Sequence, residues 1–202
     1  MDPYEIETPH GSARIHLDAA PDHGGLLMLG HGAGGGVTAP DLIAAAGAAR
    51  AAGLSVALVE QPYRVVGRKS PAPAAQLDAA WEAVAKHLRA EHLGEARLIS
   101  GGRSSGARVA CRTAADIGAV AVLCLAFPEH PPGKPEKSRQ GELDAVEVPV
   151  LVVQGKSDPF GMPAGGPNHE VVAIKGNHSL KSDLDAVRGA IADWLTRILG
   201  RG

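Results

Sequence analysis

Short, continuous apolar runs alternate with longer segments of helical periodicity along this chain, and that alternation constrains its fold more than any other feature. Leu26 to Leu29, "LSVALVE" (54–60), "ARLISGG" (96–102), "AVAVLCLAF" (119–127), "VPVLVVQG" (148–155) and "EVVAIKG" (170–176) each read as a strand. Most carry apolar residues at consecutive positions, so both of their faces must be buried. A parallel sheet clad with helices on both sides does this. The intervening segments supply the helices. One starts near Thr38, Pro40 and Asp41, a cap, a first-turn proline and a capping-box acid, and stops at Gly53. A second carries Leu77, Trp81, Val84 and Leu88 on one stripe, and "SGARVACRTAADIG" makes a third. The last opens at Ser182 with Asp185 closing its box, and turns Leu184, Val187, Ile191, Trp194, Leu195 and Ile198 inward. "YEIET" and "ARIHL", around His10-Gly11, read as an edge hairpin.

The predicted architecture is therefore α/β, a mostly parallel sheet of about six to eight strands with helices on both faces, in a single domain over residues 1–202. A composition 45% apolar but only 3% aromatic suits small branched strand residues under alanine-rich helices. The segment 128–143 is polar, proline-rich and irregular, too short for a folded lid.

Charge and composition also exclude functions. A formal net charge of −2, with basic residues spread along the chain, gives no nucleic-acid footprint. No apolar stretch approaches the ~18 residues of a membrane span, and "MDPYEIETPHG" lacks the pattern of a secretory leader. A soluble, cytoplasmic protein is expected. Cys111 and Cys124 lie in apolar settings and read as buried, reduced thiols. No histidine pair has metal-ligand spacing, so neither metal nor cofactor is expected.

In such sheets ligands bind beyond the carboxyl ends of the strands, so chemistry belongs to the residues that follow each run. Gly102-Arg103-Ser104-Ser105-Gly106 fits G-x-S-x-G at a strand-to-helix junction, where a strained turn projects a serine from the sheet edge. Only Ser104 has glycine at both −2 and +2. Asp158, after "VLVVQGKS", sits at the same edge, with Glu129 the rival acid; Asp116 and Asp144 are poorly placed. Of nine histidines, His10, His16 and His23 belong to the N-terminal region, His87 and His92 to a helix, and His169 precedes its strand. His31, His130 and His178 are at the right edge, and His178 comes last, in a small polar loop.

A competing pattern lies in "LLMLGHGAGGGV", where Gly30, Gly32 and Gly35 spell the dinucleotide fingerprint, with Glu60 as a loosely spaced ribose acid. With 26 glycines in 202 residues, chance alone supplies about 0.4 such matches, against about 0.2 for the serine motif. A nucleotide-binding oxidoreductase stays open on that motif, as does a non-catalytic module of the same fold.

The order Ser104, Asp158, His178 is that of α/β-hydrolases. "HGAGG", "GGRSSGAR", "PPGKPEKSR", "VQGKSDPFG" and "GNHSL" make the chain, from about residue 24 to 198, resemble a small lidless α/β-hydrolase. It is most similar to the α/β-hydrolase-like family of testis-expressed and NSL-complex type proteins, near the dienelactone-hydrolase-like group. The resemblance implies a serine hydrolase of carboxylic esters or related acyl compounds, with a small-molecule acyl substrate as its partner. Ser104 is then the nucleophile, His178 the base and Asp158 its orienting acid. Ser105 and Ala33 supply the oxyanion donors. His31 shapes the glycine turn and, with Gly34, Arg103, Phe127 and Phe160, is expected to border the substrate. Arg103, Arg64, Arg68 and Lys69 offer cations for an acidic acyl group, or are solvated loop charges.

Overall fold

The apolar runs become strands of one eight-stranded sheet, five of them inner strands and the last an edge strand, in a computed structural model, which describes residues 2–21 and 24–200. The N-terminal hairpin is β1 (Tyr4–Thr8) and β2 (Gly11–Asp18). Then follow β3 (Gly25–Gly30), β4 (Ser55–Glu60), β5 (Arg97–Arg103), β6 (Ala121–Leu125), β7 (Val150–Gly155) and β8 (His169–Ile174). Their order is β1-β2-β4-β3-β5-β6-β7-β8. β2 pairs antiparallel with β1 and β4, and every later pair is parallel. His23 lies outside the described residues.

Among the described residues, α1 (Pro40–Ala51), α2 (Pro62–Val65), α3 (Ala74–Leu88), α4 (Ser105–Thr113) and α5 (Gln140–Asp144) link the strands, a π-helical turn (Arg89–Leu93) extends α3, and α6 (Leu184–Leu199) follows β8. The strand period of two divides the interior into two cores. Leu27 and Leu29 of β3 face α1 and α6, together with Ile99, Leu123, Leu151 and Val153. Leu26 and Met28 face α3 and α4, with Leu98, Val122 and Val152. Val187, Ile191, Trp194 and Leu195 close the first core, and Leu77, Trp81, Val84 and Leu88 the second. Each large side chain buried in this way contributes about 1.5–3 kcal/mol against exposure. Trp81, fully buried, donates its indole N–H to Ser100 Oγ at 3.2 Å.

Helix starts differ from expectation at two places. Thr38 does not cap α1; the cap is Ala39, without a side-chain bond. Asp41 is instead turned inward and fully buried, where its carboxylate meets a guanidinium as well as the first-turn Leu42 N–H. At α6 the cap is Asp183, not Ser182, and its Oδ1 accepts the Ala186 N–H at 3.0 Å. A carboxylate adds charge–dipole attraction that a hydroxyl lacks.

The β6–β7 connection contains only α5 and irregular backbone, so no lid domain is inserted there. Cys111 and Cys124 are free and buried, their sulfurs 3.5 Å apart. Among the described residues no helix is long and apolar enough to cross a membrane.

Candidate active site

β5 ends at Arg103 and α4 starts at Ser105, so Ser104 alone makes the turn between them, at φ 53° and ψ −111°. That conformation is disfavoured for any residue with a Cβ and costs of order 1–3 kcal/mol. The neighbouring glycines explain how it fits. A Cβ on Gly102 would lie 2.6 Å from the Gly106 carbonyl carbon and 2.8 Å from the Gly30 oxygen. One on Gly106 would lie 2.5 Å from the same Gly30 oxygen. The elbow is thus pressed against the end of β3, at a distance only hydrogen allows.

Two further loops converge on the turn. Asp158 follows β7 and His178 follows β8. Gly155, at the end of β7, lets them approach, because a Cβ there would come within 2.5 Å of the Asn177 carbonyl oxygen. Ser104 Oγ donates to His178 Nε2 at 2.9 Å, and His178 Nδ1–H donates to Asp158 Oδ2 at 2.8 Å and Oδ1 at 3.1 Å. The three residues form one continuous line. The Asp158 carboxylate is fully buried, the His178 ring only partly. Phe160 N–H donates to Asp158 Oδ1 at 2.9 Å, and the Phe160 ring stacks on the imidazole with centroids 4.1 Å apart.

Gln154 was not among the residues singled out from sequence, yet it anchors the acid. It is fully buried in β7, and its Nε2 lies 3.0 Å from Asp158 Oδ2, 3.0 Å from the Phe127 carbonyl and 2.8 Å from the Gly161 carbonyl. The signal was available: a lone amide inside "VLVVQG" must find partners once buried. Tyr63, after β4, is a second such residue. Its hydroxyl donates to the Ala33 carbonyl at 2.9 Å, and burial pushes its pKa up to about 12, so it stays a donor.

The glycine turn after β3 holds Ala33, half-buried, and Gly34, exposed. A Gly35 N–H to Gly32 carbonyl bond of 3.2 Å closes it. Among the described residues, neither the Ala33 nor the Ser105 N–H has an acceptor within the protein. His31 does not border the substrate as expected: it is buried beneath the turn. Its Nδ1–H donates to the Gly32 carbonyl at 2.8 Å and its Nε2 accepts the Gln61 N–H at 3.0 Å. Burial lowers its pKa, since the charged ring would be cut off from water. Phe127 is also displaced from its expected role, being fully buried in the core below the site. Arg103 is neither a free anion receptor nor a solvated loop charge. It is bound to Asp41 and to the His178 carbonyl.

Glu129 and His130 lie apart from this line. Glu129 accepts from Ser138 Oγ, and the His130 ring bonds to the Pro131 carbonyl at 2.8 Å. The ribose-acid candidate Glu60 is held by His16 at 2.7 Å. Among the described residues no three His, Cys, Asp or Glu side chains are grouped to hold a metal.

Sheet order, the turn at Ser104 and the absence of an inserted lid define a lidless α/β-hydrolase fold. The chain belongs to the alpha/beta hydrolase domain family, which matches residues 23–184. Solved structures with the same fold include a lidless α/β serine hydrolase from Xanthomonas campestris, 23% identical, TM-score 0.78, covering 97% of this chain and 93% of that one. Est1E from Butyrivibrio proteoclasticus, solved with ferulic acid bound, is 18% identical with a TM-score of 0.80, over 98% and 100% of the two chains. A dienelactone hydrolase from Anabaena variabilis is 17% identical, TM-score 0.72, over 96% and 98%. No curated protein matches the chain in sequence.

Proposed function

We propose that this protein is a serine hydrolase that cleaves a carboxylic ester, or a related acyl compound such as a thioester, through an acyl-enzyme. The observation that carries the reading is the unbroken line from Ser104 Oγ through His178 to the buried Asp158, at 2.9 and 2.8 Å. His178 takes the Ser104 proton as Oγ attacks the acyl carbon, then returns it to the departing alcohol or thiol. Water repeats the sequence on the acyl-enzyme and releases the acid. Asp158 holds the tautomer in which Nε2 is free to accept, and stabilises the imidazolium. The N–H groups of Ser105 and Ala33 receive the oxyanion, each such donor being worth about 3 kcal/mol in the transition state.

Family membership supports hydrolysis, and the structural likeness to a dienelactone hydrolase and to the esterase domain of a Rhodothermus marinus protein supports an acyl substrate. Without a lid, the site suits a small substrate approached from solvent. A soluble, cytoplasmic enzyme in one domain fits the charge and composition.

The test is labelling by a fluorophosphonate, followed by a panel of p-nitrophenyl esters of increasing acyl length. Wild type should label and turn over a short ester; Ser104→Ala should do neither. An alanine variant that still labels and keeps full esterase activity removes Ser104 from the mechanism.

A further inference from the structure

The ion pair Asp41–Arg103 takes no part in acyl transfer, yet it reaches the Ser104 turn, the His178 loop and the glycine turn. Arg103 is the last residue of β5, directly before Ser104. Its guanidinium is used in three directions. Nε lies 2.9 Å from Asp41 Oδ2 at the start of α1. Nη2 donates to the His178 carbonyl at 2.9 Å. Nη1 packs over the glycine turn, so close that a Cβ on Gly32 would come within 2.8 Å of it.

Asp41 is wholly buried; its Oδ1 accepts the Leu42 N–H at 3.0 Å, and its Oδ2 meets the guanidinium as an ion pair without an aligned hydrogen bond. Removing a carboxylate from water is expensive, and an apolar pair of similar volume would pack there at less cost. What an apolar pair lacks is direction. A planar guanidinium held at one edge by a fixed carboxylate presents its remaining donors at fixed angles. Here Nη2 donates to the carbonyl of the residue proposed as base, and Nη1 packs against the turn that carries Ala33.

We propose that Asp41 and Arg103 are positioning residues, a clamp that registers the His178 loop and the glycine turn against Ser104. The proposal rests on the reading of Ser104 and His178 as nucleophile and base. The clamp acts on backbone, not on substrate. It therefore sets how often the three parts are aligned and leaves ground-state binding alone. A misplacement of 1 Å at a reacting centre costs on the order of a hundredfold.

The experiment measures kcat and KM for p-nitrophenyl acetate in wild type, R103M, R103K, D41N, the double variant D41N/R103M, and S104A. Active sites are counted by fluorophosphonate titration, and Tm is recorded for each protein. The expected result for R103M is a kcat per titrated site lower by at least about tenfold, with KM within about threefold. R103K, which keeps the charge but has one nitrogen where the guanidinium has three, recovers part of that loss. D41N loses less than R103M. The double variant is no worse than R103M to within about twofold, because both changes break one device.

Counting sites separates positioning from folding, since a merely structural pair would lower Tm and the number of titrated sites but not the turnover of each. A kcat per site in R103M and R103K within about twofold of wild type overturns the clamp, whatever their Tm. So do losses that multiply in the double variant. If S104A stays active, the triad reading falls and the clamp with it. If S104A is silent while R103M is undiminished, only the clamp falls.

Discussion

Replacing Gln154 by Leu tests whether the acid of the proposed triad depends on its buried anchor. The amide Nε2 has two hydrogens for three acceptors: Asp158 Oδ2 at 3.0 Å, the Phe127 carbonyl at 3.0 Å and the Gly161 carbonyl at 2.8 Å. Leucine fills a similar volume and donates nothing. The three acceptors then fare differently. The Phe127 carbonyl keeps the Glu129 N–H at 3.0 Å. Asp158 keeps the Phe160 N–H at 2.9 Å and His178. Gly161 loses the side-chain donor that served its carbonyl. One poorly satisfied buried carbonyl costs about 1–3 kcal/mol. Part of that is returned, because Gln154 Oε1 is itself buried without a partner among the described residues. A net destabilisation of about 1 kcal/mol is expected.

The effect on catalysis should be larger than that on stability. A hydrogen bond to a charged group is worth about 1.5–3 kcal/mol, and losing it frees the carboxylate to rotate away from Nδ1. Even if only 1.4–2 kcal/mol of this appears in the transition state, kcat/KM falls by about ten- to thirtyfold. Urea unfolding and steady-state hydrolysis of p-nitrophenyl acetate measure the two quantities on the same preparation. A variant whose kcat/KM stays within about twofold of wild type would show that Asp158 needs no support from β7. Gln154→Glu provides the complementary case. It sets a second carboxylate beside Asp158 and should impair activity more than leucine does, by like-charge repulsion.

Other substitutions isolate single terms. Ser104→Ala keeps the backbone strain of φ 53° and Ser104→Gly releases it, so glycine should be the more stable of two inactive proteins, by about 1 kcal/mol on urea unfolding. Gly106→Ala puts a methyl carbon 2.5 Å from the Gly30 oxygen, and should cost about 3 kcal/mol or more with loss of activity, again by unfolding and turnover. His31, whose folded pKa lies below its unfolded value near 6.5, contributes stability that is full above that value and is lost as pH falls through the folded one. Wild type should therefore lose more Tm than His31→Gln between pH 7 and about 5, and equal losses would remove this term.

Much of this was legible in the sequence because burial writes itself into composition. A run such as "VLVVQG" has no exposed face, and only a helix-clad parallel sheet offers it such an environment. Placing the sheet then places its carboxyl edge, and Ser104, Asp158 and His178 all follow from position. The misreadings have a common cause. His31, Phe127 and Arg103 stand beside site residues in the chain, but adjacency does not say whether a side chain points out of the edge or back into the core. Arg103 was legible only with Asp41, sixty-two residues earlier, and nothing local marks that pairing. Asp41 looked like a capping acid for the same reason: its partner is distant. Gln154 and Tyr63 are second-layer contacts whose role depends on which loop folds over them.

The glycine knot at residues 30–36 shows how one composition can serve two chemistries. In a dinucleotide site the glycines let a pyrophosphate approach the backbone. Here the close approach at Gly30 is made by another part of the same chain. The Gly30 oxygen is the atom that forbids side chains on both Gly102 and Gly106. The motif around the serine and Gly30, the glycine before His31, are therefore two halves of one packing contact. Tyr63 and Arg103 hold the turn at adjacent residues, through the Ala33 carbonyl and against Gly32. That leaves the Ala33 N–H directed by a turn held at both of these residues. A preorganised oxyanion donor needs this condition, since a freely moving amide would spend its interaction energy on becoming ordered. Tyr63→Phe keeps the ring and removes only the hydroxyl. It should leave KM within about threefold and lower kcat for p-nitrophenyl acetate by about three- to tenfold, and an unchanged kcat would mean that the turn is held without it.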